Sequence, residues 1–134
     1  MEEPERYFTL LEAQALVPWL QATFDAIEPL KQQLAKAKER MRPHVTHMQS
    51  NGGAKAQQGL KEATVALREA QDRVEELVNA IVERGIILRS LERGLLDFPS
   101  IRDGREVHLC WLNREPEITH WHEVGAGFAE RQRL

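Results

Sequence analysis

Residues 105–123 read REVHLCWLNREPEITHWHE, and this stretch decides how the chain divides. It holds three of the five histidines, the only cysteine and two of the three tryptophans. Its side chains alternate: Val107, Leu109 and Trp111 point to one side of an extended strand, His108, Cys110 and Leu112 to the other. Just upstream, Asp103-Gly104 is a two-residue hairpin signal between 98–102 and 105–112. Pro99 lacks an amide donor, which predicts an edge or irregular first arm. Asn113 to Glu117, with Pro116, makes a second turn into an extended segment, Ile118 to Glu123. A symmetrical five-residue connection sets Leu112 opposite Ile118, Cys110 opposite His120 and His108 opposite His122. Leu109, Trp111 and Trp121 then share the reverse face, and a one-residue slip would undo the whole arrangement.

That register predicts an apolar, tryptophan-rich face packed on the rest of the chain and a second face carrying His108, Cys110, His120 and His122. Three nitrogens and one sulfur suit zinc or another transition metal. Glu115 and Glu123 are alternative oxygen ligands, or partners that orient a histidine. The competing reading makes Cys110 a small core residue and the histidines strand residues or hydrogen-bond anchors, since the chain has neither a CxxC pair nor an HExxH helix. A cysteine–histidine nucleophile pair is less well supported. No Asn or Asp follows to orient the base and no Gly-rich turn precedes Cys110, so no catalytic residue is assigned. Gly125-Ala126-Gly127 is too short for a phosphate loop, and Phe128 and Arg131 are expected to dock the tail on the domain.

Working outward, the preceding chain has helical periodicity. Thr9 and Glu12 form a capping box, with Phe8 placed as a staple. The helix over 8–41 puts Ala13, Leu16, Leu20, Thr23, Ile27, Leu30, Leu34, Ala37 and Met41 on one stripe, and Pro18 and Pro29 should kink or restart it. Trp19 is expected to pack at the first bend. Arg42-Pro43 is read as the helix end and 42–56 as a polar loop with a flexible tip at Ser50-Asn51-Gly52-Gly53, where His44 and His47 are solvated. A second helix over 57–93 repeats Leu60, Leu67, Val74, Ile81 and Leu88 every seven residues, with Leu91 continuing the stripe and Gly94 as its stop. Arg84 interrupts that seam, either reaching outward or pairing with Asp97 or Glu115. Two such seams joined by a polar loop predict an antiparallel, coiled-coil-like helical hairpin. Its flanks, Val17, Phe24, Val65, Val78 and Val82, call for cover by the C-terminal module or by a second copy.

At 134 residues this is one modest domain spanning 1–134, with a small β module and tail over 95–134. The net charge of -3 argues against general nucleic-acid binding, which leaves Arg40, Arg42, Arg131 and Arg133 as a minor basic alternative. One cysteine cannot form an internal disulfide, the acidic MEEPERYF start is unlike a signal peptide, and no apolar run is long enough to span a bilayer. A cytoplasmic protein without membrane contact is the expectation.

The segments YFTLLEAQALVPWL, GLLDFP at 94–99 and HLCWLNREPEITHWHEVGAGFAERQRL together resemble the domain-of-unknown-function 2203 family over essentially the whole chain. The resemblance implies a small, mainly helical, cytoplasmic prokaryotic protein with no assigned activity. Asp97, Cys110, Trp111, Glu115, Pro116, Trp121, His122, Glu123 and Arg131 match its motif. Members typically carry Gly where this chain has Asn113 or Arg114, and position 120 is not typically His. The resemblance therefore points to a smaller, more acidic set, Cys110, Glu115, His122 and Glu123, with Asp97. Two functional readings follow: a noncatalytic self-association or protein-interaction module, homodimeric through the hairpin, and a transition-metal protein centred on Cys110 and His122.

Overall fold

The computed structural model describes residues 4–47 and 53–134, which form two compact units, Met1–Phe24 with Val78–Leu134 and Asp25–Leu77. The helices are α1, Leu10–His47, and α2, Ala54–Val82. Five strands follow, β1 Ile87–Ser90, β2 Leu95–Arg102, β3 Arg105–Leu112, β4 His120–Glu123 and β5 Gln132–Arg133, with a 3-10 turn at Phe128–Glu130. They form one antiparallel sheet in sequence order. The C-terminal part is thus a five-stranded sheet rather than the small hairpin module expected.

Helix α1 starts where the capping box places it. Thr9 N donates to Glu12 Oε1 at 2.9 Å and Glu12 N to Thr9 Oγ1 at 3.0 Å. The helix is continuous through Pro18, Pro29 and Pro43 to His47, beyond the end expected at Arg42-Pro43. The tip at Ser50-Asn51-Gly52 lies outside the described residues, as do the side chains of His44 and His47.

The larger correction is at the end of α2, which stops at Val82 instead of Arg93. Gly85 adopts φ +89°, a left-handed conformation that ends helices, and its N–H donates to Val82 O at 2.9 Å. The β-branched pair Ile86-Ile87 then favours extended chain, so Leu88 is in β1 and Leu91 in the turn after it. Gly94 is not a helix stop but closes that turn. Its φ is +70°, and an added Cβ would lie 2.4 Å from Asn113 Cβ.

In the hairpin unit, Ile27, Ala37, Ala63, Ala70 and Val74 are buried, so the predicted stripes do face inward. In the sheet unit, Val17 and Phe24 are buried as well, not free flanks, and Phe24 packs against Trp111 with ring centroids 5.9 Å apart. Leu96, Phe98, Val107, Leu109, Trp111 and Trp121 complete this apolar layer with Phe8, which meets Phe98 edge-on at 5.1 Å. Val65 and Val82 stay exposed. Glutamines one heptad apart on α1 tie down the β3–β4 turn. Gln14 accepts from Ile118 N, and Gln21 bonds both Asn113 and Arg114 N.

The Asp103-Gly104 turn has φ values of 52° and 79°, both left-handed as a tight two-residue hairpin requires. Pro99 pairs with His108 and lies past the end of the β1 pairing, which stops at Asp97, so β2 has a strand on one side only there, as expected, but stays regular. Its carbonyl accepts from Phe8 N at 2.7 Å, so its backbone polar side is turned away from β3 and the missing amide costs that ladder nothing.

Candidate metal centre

Strand alternation turns Leu96 and Phe98 toward the core and places Asp97 on the opposite face. Asp97 lies across from Cys110, and Cys110 across from His120. His108 lies across from His122. The β3–β4 register is the one read from the sequence. On this face one oxygen of Asp97, the sulfur of Cys110 and one ring nitrogen of His122 lie within 4.8 Å of one another, all three residues buried.

Two members of the trio are held from behind. Asp97, 2% exposed, has Oδ1 2.9 Å from His122 Nε2 and accepts from Arg89 Nε through Oδ2 at 2.8 Å. Arg89 reaches it because β1 is bulged: Leu88 pairs with Leu96 and Ser90 with Leu95, leaving Arg89 as the extra residue. His122 Nδ1 lies 2.8 Å from the Glu123 carbonyl oxygen. A carbonyl only accepts, so Nδ1 carries the hydrogen and Nε2 turns toward Asp97.

Burial alone would raise the Asp97 carboxyl. Polar contacts from His108, Arg89 and His122, with the charge of His122, outweigh it and hold the group at about 2. The ionised Asp97 carboxylate is thus the acceptor in this cluster, and a metal ion beside Nε2 would be held by the same negative charge. Cys110 is pushed the other way, up to about 11, by burial first and then by the negative charge of Asp97. Its thiol is therefore protonated in the metal-free protein, and a bound metal is the agent that would ionise it.

A cleft of about 310 Å³ reaches the trio, lined also by Arg89, Leu95, Gly125, Ala126, Gly127 and Phe128. Gly125 and Gly127 belong to this wall rather than to a phosphate loop. Arg131 forks onto Glu115 through two bonds of 3.1 Å and lies against the ring of Phe128 at 4.2 Å.

The other candidates stand outside the trio. His108 is buried beside it, with Nδ1 3.6 Å from Asp97 Oδ2 and its ring edge-on to His122 at 5.5 Å. His120 Nδ1 is engaged by Thr119 Oγ1 at 2.8 Å. Glu115 is committed to Arg131 and to Leu112 N, and its carbonyl accepts from Trp111 Nε1. Glu123 pairs through its side chain with Arg105. Arg84 pairs with neither Asp97 nor Glu115. It is exposed, its guanidinium 4.1 Å from the ring of Trp19. Arg89 takes the role at Asp97 considered for Arg84. Sequence reading missed Arg89 because it ran α2 through this position. The signal available was Gly85 followed by two β-branched residues.

The family model described as an uncharacterized conserved protein family (DUF2203) matches residues 6–134, and the chain belongs to that family. No curated protein matches, and no solved structure does. No helix among the described residues is long and apolar enough to cross a membrane.

Proposed function

We propose that this protein binds a transition metal ion of the zinc type through Asp97 Oδ, Cys110 Sγ and His122 Nε2. The observation that carries the reading is the convergence of these three atoms within 4.8 Å on neighbouring strands. Ligand atoms around a tetrahedral zinc ion lie about 3.3–3.8 Å apart, so Asp97 Oδ1 and His122 Nε2, now 2.9 Å apart, would open slightly and the wider separations of the set would close. The Nδ1 contact to the Glu123 carbonyl presents Nε2 as the ligand nitrogen, and Arg89 holds the second oxygen of Asp97 as an outer partner. Three protein ligands leave a fourth position toward the cleft, the arrangement of a site that exchanges a ligand rather than of a closed structural site. Titrating chelator-treated protein with zinc while following heat release tests this. Stoichiometric uptake by the wild type and its loss in His122→Ala are the expected result. No heat in the wild type sinks the proposal.

A second reading, self-association through the helical hairpin, is favoured by a groove of about 880 Å³ in the 25–77 unit. Leu30, Ala66 and Ala70 line it, with Lys36, Glu39 and Arg40 from α1 and Glu69 from α2. A second copy seated on this groove would cover Leu30, Ala66 and Ala70 and bring both acids and bases of the two chains together. Light scattering of the intact chain tests this reading: a dimer that dissociates in Glu69→Lys is expected, and a monomer at high concentration contradicts it.

A further inference from the structure

The geometry points to a small carboxylate as the ligand of the open metal position, held jointly by the ion and by Arg89. This inference rests on the metal-binding reading above. With a divalent ion in place, the charges of Asp97 and of the ionised Cys110 cancel it, and His122 ligates as a neutral ring. The Arg89 guanidinium is then the surplus charge at the centre, so the complementary ligand is a monoanion.

Placement agrees with charge. Arg89 lines the same cleft as the three ligands, and its side chain is 46% exposed, so it is reachable from that cleft. Its Nε is committed to Asp97 Oδ2 and its Nη2 stands 3.4 Å from His108 Nδ1. Nη1 has no hydrogen-bond partner among the described residues. A guanidinium fixed at two corners with a third edge open presents a directed donor, not a mobile charge. Arg131, which lies against the Phe128 ring and also contacts Cys110, is neutralised by Glu115. Gly125, Ala126 and Gly127 also line the cleft and carry no side-chain charge, and the nearby Glu130 carboxylate is tied to Gly127 N. One carboxylate oxygen would take the fourth metal position while the other accepts from Arg89.

The test uses the full-length protein loaded with cobalt(II), whose visible bands report the number and kind of ligands, and acetate as the probe. Acetate should shift the bands saturably in the wild type, with half-saturation raised about tenfold or more in Arg89→Gln and largely restored in Arg89→Lys. The bands before acetate is added show whether each variant holds the ion. Cobalt bands that ignore acetate, or an equal response in Arg89→Gln, would overturn the carboxylate inference and leave the metal site standing. Bands that respond to inorganic phosphate but not to acetate would overturn it too. If the wild type develops no cobalt bands at all, the metal reading fails and this inference with it.

Discussion

His122 Nε2 lies 2.9 Å from Asp97 Oδ1, and each side chain is only 2% exposed. The buried carboxylate is balanced by Arg89, whose Nε lies 2.8 Å from its other oxygen. Asp97→Asn keeps the shape and removes the charge, leaving Arg89 and His122 without their anion. Chelator-treated Asp97→Asn should lose about 3 kcal/mol of stability in urea unfolding. A loss well under 1 kcal/mol would mean that the pair is not formed.

The same carboxyl sets an acid limit. Its folded value is about 2 against an ordinary 3.8, so the folded protein holds its proton less tightly than the unfolded chain. The resulting stability is fully present above pH ~5 and is lost as the pH falls through the window between 4 and 2, by about 2 kcal/mol. Urea midpoints taken through that window should fall in the wild type. In Asp97→Asn the fall should be visibly shallower.

Gly94 is enclosed as well as left-handed, with Asn113 Cβ 2.4 Å from where its own Cβ would sit. Gly94→Ala therefore meets both a disfavoured φ and a backbone-anchored neighbour. It should cost about 2 kcal/mol or more in thermal or urea unfolding, whereas Gly104→Ala, with open space around it, should cost only the conformational part, about 1 kcal/mol.

Arg114 makes the opposite case. Its φ is +87°, its side chain is exposed, and its described contact is a backbone donation to Gln21 Oε1 that any residue can make. Arg114→Gly should stabilise the protein by about 0.5–1 kcal/mol, seen as a rise of a few degrees in Tm.

Local rules made much of this fold legible. Asp103-Gly104 fixed a turn whose two residues must both be left-handed, and from there strict alternation carried the register to His122. The capping box at Thr9 and Glu12 was equally readable, being two hydrogen bonds within one turn. What was not legible arose from competition between rules. The heptad at Leu88 argued for more helix, and Gly85 with Ile86-Ile87 argued against it; the backbone conformation at Gly85 won. That one misplacement hid β1, the bulge and Arg89 together. Of the site, Cys110 and His122 could be placed on one face from β3–β4 alternation alone. Asp97 needed the β2–β3 register extended past Pro99, and its place came instead from the family resemblance. Glu115 has the right chemistry for a ligand, but its partner Arg131 is sixteen residues away and arrives only with the tail.

The most direct measurement is the metal content of untagged protein purified without chelators, compared with Cys110→Ser and His122→Ala. Stoichiometric zinc or iron in the wild type, absent from both variants while each stays folded, is the predicted result. A wild type that is metal-free as purified and takes up none after incubation with zinc would contradict the account. Asp97, Cys110 and His122 would then be a buried polar network that orients the sheet.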